Sequence, residues 1–214
     1  MDLVLFGMQG SGKGTQAEQL VKSCDFEMFE TGAELRRLAS EDSELGKKVK
    51  TIIEAGHLVP TEVVMEIIAN FISRLPANKN VLFDGIPRSK DQKKQFDELM
   101  QKEGREFMGL LIEITEKEAL DRLTTRRLCT NCKQTYPAFY DKETCEKCGG
   151  ELITRKDDTP DAIRVRLDTF LEKTVPVIEK YKASGNMLIV NGIQSIEAVN
   201  TETMESIKPH FQCQ

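Results

Sequence analysis

The stretch GMQGSGKGT, residues 7–15, limits the possible folds of this chain more than any other segment. It has the phosphate-loop spacing Gly-x-x-x-x-Gly-Lys, with Gly7, Gly12 and Lys13 in the key places. An apolar run precedes it and a helix-like segment follows, so loop amides and a helix N-terminus can together form an anion site. A glycine-rich turn without a ligand is the alternative. The strand–loop–helix context favours binding of a nucleoside triphosphate.

Short apolar runs along the chain predict strands that are buried on both faces. They lie at 3–6, 80–84, 109–114 and 186–192, with a weaker candidate at 26–29. Such continuous runs are typical of parallel sheets, and the helix-like segments between them give a β-α-β order. The sequence therefore predicts an α/β fold with a central parallel sheet of five strands. Residues 30–59, which look helical, and residues 126–158 interrupt this order and are candidate insertions.

Polar residues mark several expected helix starts. The capping-box spacing, in which two side chains reciprocally cap the first turn, occurs three times, at Thr31 with Glu34, Ser89 with Gln92, and Thr115 with Glu118. Thr159 is expected to cap another helix whose first residue is Pro160.

Composition excludes some classes of protein. The net charge of −5 and the pI near 5.3 argue against a protein that binds nucleic acid or an anionic membrane surface. No apolar run approaches the roughly 20 residues that cross a bilayer. The sequence enters its first strand without a basic and then apolar signal region, and we expect a cytoplasmic location.

Four of the six cysteines form two C-x-x-C pairs twelve residues apart, at Cys129, Cys132, Cys145 and Cys148. Two such pairs suit tetrahedral Zn²⁺, and four protein ligands leave no open position, so the metal would be structural. Disulfides or another metal ion are the alternatives. Cys24 and Cys213 are expected to be small apolar residues or a surface thiol.

Other polar residues suit phosphate chemistry. Asp84 ends a predicted strand and could organise Mg²⁺ through water, although an Asp-Gly turn is common on structural grounds alone. Arg122 and Arg126 are four apart on a predicted helix 116–128, where like charges on one face repel unless an anion lies between them. A solvated basic face is the alternative. Further arginines could clamp several phosphates, as phosphoryl transfer requires: Arg36, Arg88, Arg155 and Arg166.

These segments, in this order, resemble adenylate kinase of the long-lid form that carries a zinc knuckle. The resemblance covers nearly all of the chain and rests on GMQGSGKGTQ, TGAELRR, ELGKKVKTIIEAGHLVP, LFDGIPRSKDQ, DRLTTRRLC, TRKDD, IRVRL and VNG. It implies a P-loop three-layer fold and the Mg²⁺-dependent reaction ATP + AMP ⇌ 2 ADP. It also implies a core of 1–29, 60–125 and 159–214, an NMP-binding insertion at 30–59 and a lid insertion at 126–158. The family's loop ends Gly-Lys-Gly-Thr, as here.

The resemblance also assigns residues to the two nucleotides. Gly10, Ser11, Gly12, Lys13, Gly14 and Thr15 would wrap the ATP phosphates, with Arg126, Thr135, Tyr136 and the backbone at Gln194 holding the rest of ATP. AMP would be held by Thr31, Arg36, His57, Leu58, Val59, Gly85, Ile86, Pro87, Arg88, Gln92, Arg155 and Arg166. The transferred phosphoryl group would lie among Lys13, Arg88, Arg122, Arg155 and Arg166. Asp157 and Asp158 would pair with arginines when the lid insertion closes.

Two points stay open at this level. Gln92 could read the adenine edge of AMP or act only as a capping residue. The family usually has Asp where this chain has Ala33, so the magnesium shell is looser here or supported differently. The rival functions are a nucleoside monophosphate kinase that uses GTP, UMP or CMP, and a non-catalytic zinc-knuckle nucleotide-binding protein. The family tends to be monomeric, and ATP, AMP and ADP are the expected partners.

Overall fold

The computed structural model describes residues 1–76, 78–137, 139–155 and 158–213. Along this part of the chain the elements are β1 (Asp2–Phe6), α1 (Lys13–Cys24), β2 (Glu27–Glu30), α2 (Thr31–Ala39), α3 (Glu44–Glu54), α4 (Thr61–Ile72), β3 (Val81–Asp84), α5 (Lys90–Lys102), β4 (Phe107–Glu113), α6 (Glu116–Thr125), β5 (Arg127–Cys129), β6 (Thr135–Tyr136), β7 (Leu152–Ile153), α7 (Pro160–Thr169), α8 (Val175–Ala183), β8 (Met187–Asn191) and α9 (Ile196–Ile207). A π-helical turn, Phe170–Thr174, joins α7 to α8.

The five predicted strands form one parallel sheet in the order β2-β3-β1-β4-β8. Helices cover both faces, which confirms the predicted α/β class. Alternate residues of β1 face opposite layers: Leu3 and Leu5 pack with α1 and α9, whereas Val4 and Phe6 join the larger core on the other face. This three-layer arrangement brings the carboxyl ends of the strands to one edge of the sheet.

The two interrupting stretches have different structures. Residues 30–59 contain α2 and α3, as their helical pattern predicts. The cysteine-bearing stretch instead contains a small antiparallel sheet in the order β6-β5-β7. Its buried cluster consists of Cys129, Cys145 and Tyr136, so it has little apolar core of its own.

The helix starts follow the sequence in three of four places. The side chains of Ser89, Thr115 and Thr159 each accept a hydrogen bond from a backbone N–H in the first turn of α5, α6 and α7. The box predicted at Thr31 is wrong, because β2 runs directly into α2. Thr31 is already helical there, and the capping position is Glu30, which makes no side-chain cap.

Two further expectations are wrong. The helix predicted over 116–128 ends at Thr125, and Arg126 has an extended backbone that leads into β5. Arg122 and Arg126 therefore do not share a helix face. Cys24 and Cys213 are not separate apolar or surface thiols but form a disulfide, because the C-terminal segment packs beside α1 and brings their Cα atoms within 4.1 Å. The rings of Phe26 and Phe211 pack beside this bond with their centroids 5.3 Å apart.

Candidate active site

The phosphate loop connects β1 to α1, as its motif predicts. Gly12 caps α1 with φ 91°, a left-handed conformation that favours glycine. Gly7 lies so close to its neighbours that an added Cβ would be 2.5 Å from Ser11 Oγ and 2.7 Å from the carbonyl oxygen of Ile112. Gly7 is thus required by its close contacts and Gly12 by its backbone conformation.

Lys13 is the first residue of α1, and its ammonium group is folded into the loop. Its Nζ donates to the carbonyl oxygens of Gly7, at 2.8 Å, and Met8, at 3.1 Å. Burial lowers the pKa of Lys13 to about 8, and the negative charge of Asp84 opposes that shift. The protein therefore holds a poorly solvated positive charge at the point where the motif predicts phosphate binding.

Asp84 ends β3 beside the phosphate loop, since the sheet register pairs it with Leu5 of β1. Its Oδ1 is completely buried and has no hydrogen-bond partner among the described residues. Burial raises the pKa of Asp84, whereas the charge of Lys13 lowers it. A buried oxygen without a partner, next to a phosphate loop, fits the hard oxygen donors that Mg²⁺ and its water ligands prefer.

The segment after β3 forms the other wall of this site. Arg88 Nε donates to the carbonyl oxygen of Gly85 at 2.7 Å, and the Ile86–Pro87 peptide bond is cis. Burial lowers the pKa of Arg88, and Asp84 opposes the shift. A cavity of about 30 Å³ lies between this segment and the loop, lined among others by Gly7, Lys13, Pro87, Arg88, Phe170 and Thr174. The hydroxyl of Thr174, in the π-helical turn, donates to the Arg88 carbonyl at 2.9 Å.

Gln92 has a clear structural contact in this protein. Its Oε1 accepts a hydrogen bond from the Arg88 backbone N–H at 2.8 Å, and its own N–H donates to Ser89 Oγ at 3.2 Å. The residue is buried. The cap by Ser89 is therefore confirmed, whereas the Gln92 side chain bonds the backbone of Arg88, one residue before the cap, and not that of Ser89; contact with an adenine base stays a prediction.

The arginines predicted to bind phosphate contact several different parts of the protein. Arg122 reaches from α6 to the carbonyl of Gly192 after β8, at 2.9 Å, and to that of Gly10 in the loop, at 3.4 Å. Arg126 and Arg166 both donate to Asp158, whose side chain is fully buried. Arg155 follows β7, and its carbonyl accepts from the Asp158 N–H at 3.0 Å. Asp157, also predicted to pair with arginines, lies outside the described residues.

The other residues predicted to hold AMP lie in α2 and between α3 and α4. Thr31 is buried, and its Oγ1 has no partner among the described residues. Arg36 forms an ion pair with Glu30 at 2.8 Å. The segment from His57 through Leu58 to Val59 joins α3 to α4. Just before it, Gly56 approaches α7 so closely that an added Cβ would lie 2.7 Å from the carbonyl oxygen of Ala162.

Two of the residues predicted to hold ATP already have other contacts. Tyr136, next to Thr135 in β6, is buried, and its hydroxyl lies 3.1 Å from Cys145 Sγ. Gln194 follows β8, and its side-chain amide donates to the Asn191 carbonyl at 3.0 Å and to Glu202. The backbone of Gln194 stays the predicted contact with the base.

The four knuckle cysteines converge, with all four Sγ atoms within 4.8 Å of one another. The pairs Cys129–Cys148 and Cys132–Cys145 are 3.5 Å apart, which is too far for disulfides, and all four thiols are free. Tetrahedral Zn²⁺ with bonds of about 2.3 Å needs such spacing, so the site fits the ion. Burial by itself would raise the pKa of Cys145, but hydrogen bonds lower it to about 6, and the bond with Tyr136 makes the largest contribution among them.

One charged residue of the site, Glu30, was not predicted. Its carboxylate is placed beside Asp84 by the pairing of β2 with β3 and contributes to the charge around Lys13. Sequence offers one signal for it: Glu30 and Asp84 each end a strand, and parallel strands end at the same edge.

Comparison with known proteins agrees with this geometry. The family model described as adenylate kinase matches residues 5–186. An adenylate kinase of Desulforamulus reducens is 36% identical over 213 residues, covering 97% of this chain and 100% of the relative. Adenylate kinases of Caldicellulosiruptor bescii and Archaeoglobus fulgidus are 35% and 34% identical, with 97% of this chain covered in each case and 99% and 100% of the relatives. The loop, the strand-end carboxylate and the arginines thus occur in a chain that belongs to the adenylate kinase family, a family of phosphotransferases.

Proposed function

We propose that this protein catalyses the reversible, Mg²⁺-dependent reaction ATP + AMP ⇌ 2 ADP. The observation that carries the proposal is the convergence of Lys13, Asp84 and Arg88 at one edge of the sheet, where Lys13 and Arg88 line the cavity beside the phosphate loop and the charge of Asp84 acts on both. Phosphoryl transfer needs little covalent chemistry from a protein and much positioning and charge stabilisation. Two cations, a carboxylate and a loop of amides meet that need.

The donor phosphates would bind the loop from Gly10 to Thr15. The Lys13 ammonium now contacts two loop carbonyls, and phosphate oxygens would take their place as stronger, charged acceptors. Arg88, Arg122, Arg155 and Arg166 would surround the transferred group, where charge spreads over the equatorial oxygens. Magnesium, when bound, neutralises phosphate charge, and Asp84 would hold it through water ligands.

The acceptor would bind between α2 and the segment after β3. Arg36 and Arg88 would hold the AMP phosphate, and Thr31 offers a buried hydroxyl without a present partner among the described residues. The Gln92 amide group would contact the adenine, while its oxygen keeps the bond to the Arg88 backbone. The bases of UMP and CMP present a different hydrogen-bonding edge, so a protein that uses them as acceptors would need a different contact at position 92.

The NMP-binding insertion (30–59) and the lid insertion (126–158) would close over AMP and ATP. Closure excludes water, which would otherwise hydrolyse ATP. Zinc in the four-cysteine site would stiffen the lid insertion without contacting the reaction. We further propose a cytoplasmic monomer. Among the described residues, no helix has the length and apolar character of a membrane span.

A coupled assay of ADP formation, scanned over donor and acceptor pairs, tests the function. We expect ATP with AMP to be the best pair, and Lys13→Ala to lose nearly all activity. Lys22→Ala is the matched control, since Lys22 lies exposed in the last turn of the same helix. Preference for GTP, UMP or CMP would indicate a sibling kinase. Nucleotide binding without transfer in the unaltered protein would indicate a non-catalytic binding protein.

A further inference from the structure

Glu30 and Asp84 stand side by side at the ends of neighbouring parallel strands. The register pairs Glu30 of β2 with Asp84 of β3, and Asp84 in turn pairs with Leu5 of β1. Neighbouring strands are about 4.8 Å apart, so Asp84 leaves the sheet beside the phosphate loop, and Glu30 leaves it one strand further out because the strand order is β2-β3-β1. Burial lowers the pKa of Lys13, and the negative charges of Asp84 and Glu30 both oppose that shift.

Besides Gln9 Oε1 and Ser11 Oγ of the phosphate loop, two polar atoms at this edge are buried without a partner among the described residues. They are Asp84 Oδ1 and the hydroxyl of Thr31, the residue that follows Glu30. Thr31 as a whole is 4% exposed. A buried oxygen without a hydrogen bond costs free energy unless a ligand or its water shell satisfies it. The edge is therefore built for a ligand with hydrogen-bond donors near the carboxylates.

Glu30 is at present held by Arg36, through a hydrogen bond of 2.8 Å from Nη2 to Oε1. Both side chains are more than a third exposed, so the ion pair contributes little to stability. Gly32 lies under the pair, where an added Cβ would be 2.9 Å from Arg36 Nη1. A nucleotide phosphate can form two charge-assisted hydrogen bonds with the guanidinium group and would replace Glu30 easily.

We propose that Glu30 is a positioning residue for the magnesium ion of the bound nucleotides, accepting hydrogen bonds from its water ligands together with Asp84. The inference rests on the proposed function. Ala33 lies in the first turn of α2 and offers only a methyl group. It therefore cannot accept hydrogen bonds from the water ligands of an ion, whereas the carboxylates of Glu30 and Asp84 can. When Arg36 moves to the AMP phosphate, the Glu30 carboxylate becomes available to the ion's water shell.

Binding of Mn²⁺ tests this without relying on turnover. The full-length protein is saturated with a linked bis-adenosine polyphosphate, which cannot react, and free Mn²⁺ is measured by electron paramagnetic resonance. Loss of an outer-shell partner typically weakens metal binding 10- to 100-fold, and for a partly exposed residue we expect Glu30→Gln to raise the Mn²⁺ dissociation constant about tenfold. Glu27→Gln, an exposed carboxylate of the same strand, should leave the constant unchanged.

A second variant separates metal positioning from a merely structural effect. Glu30→Gln combined with Ala33→Asp restores one carboxylate from the first turn of α2 and should recover most of the lost Mn²⁺ affinity. An equal constant in Glu30→Gln and the unaltered protein, or no recovery in the double variant, would overturn the inference and leave the proposed function intact. If the unaltered protein does not bind the linked nucleotide, the proposed function fails, and the inference fails with it.

Discussion

Asp158 Oδ1 accepts a hydrogen bond of 2.8 Å from Arg126 Nη2, which ties the residue that follows α6 to the segment before α7. The same oxygen accepts from Arg166 at 2.6 Å. Because the carboxylate is fully buried, Asp158→Asn would leave two guanidinium groups without its charge. We expect the free energy of unfolding in urea to fall by about 3–5 kcal/mol. Asp168→Asn, an exposed aspartate of α7, should change it by less than about 0.5 kcal/mol.

The same variant should alter the pH dependence of stability. Burial by itself would raise the pKa of Asp158, but hydrogen bonds from Arg126 and Arg166 outweigh it and hold the pKa below its ordinary value. The contribution is therefore complete above the unfolded pKa of about 3.9 and is lost as pH falls through the folded pKa. The stability difference between the two proteins should be constant from about pH 7 to 5 and shrink below about pH 4. A constant difference down to about pH 2 would contradict this account.

Tyr136 is expected to strengthen metal binding in the knuckle through Cys145. Its hydroxyl favours the thiolate form, which is the form that binds zinc. We expect Tyr136→Phe to weaken zinc binding about tenfold in competition with a chelator. Tyr140→Phe is the control, because the Tyr140 hydroxyl donates to the Thr144 carbonyl and not to a cysteine. Equal zinc affinity in the two variants would count against the hydrogen bond.

Chelation of zinc should lower the melting temperature more than the initial rate of ADP formation. Zinc binding is linked to folding of the knuckle, with apparent free energies of about 10–16 kcal/mol in small zinc domains. The four cysteines leave no ligand position for a substrate. Complete loss of the rate in protein that is still folded by circular dichroism would show that the metal takes part in the reaction.

The disulfide between Cys24 and Cys213 should make stability depend on the redox state. The bond joins residues 189 apart, and a disulfide stabilises mainly by restricting the unfolded chain. We expect a reductant to lower the free energy of unfolding of the unaltered protein by about 2–4 kcal/mol. Cys213→Ser should show the lower value with or without reductant, and it controls for effects of the reductant on the knuckle. No response of the unaltered protein would rule out the bond in solution.

Lys13 is expected to cost stability while it supports function. Its pKa is lowered to about 8 by burial, so the unfolded chain binds the proton more tightly and stability rises as pH increases from about 8 to 10.5. Lys13→Met should therefore be more stable than the unaltered protein at pH 7, by on the order of 2 kcal/mol, and lose this advantage near pH 10. Unfolding curves of Lys13→Met and the unaltered protein, measured at about pH 7 and pH 10, give the free energies of unfolding that check this. Lys22→Met, with an exposed side chain, should show no such pH-dependent gain.

The sheet and the phosphate loop could be predicted because their signals are local. Each apolar run forms its own strand, and the glycines of the loop are required within a few residues of one another. The end of α6 was not predictable in the same way, because the helical pattern continues past Thr125 while the chain turns into β5 to place Cys129 in the knuckle.

Pairings between distant residues could not be predicted from local patterns. The Cys24–Cys213 bond depends on the docking of the C-terminal segment beside α1. Glu30 becomes a site residue through the register of β2 against β3; its position at the end of a predicted strand indicates the edge of the sheet but not that Asp84 is its neighbour. In both cases the contact is a product of the assembled fold.

The disulfide also has a mechanical consequence. Cys24 is the last residue of α1 and Lys13 is the first, so one helix connects the covalently anchored tail to the residue that reaches into the phosphate loop. A helix of twelve residues is a stiff rod about 18 Å long. A force on the C-terminal segment would therefore act through the disulfide and along α1 as far as Lys13. With the disulfide reduced, the C-terminal segment could separate from α1 without moving that helix.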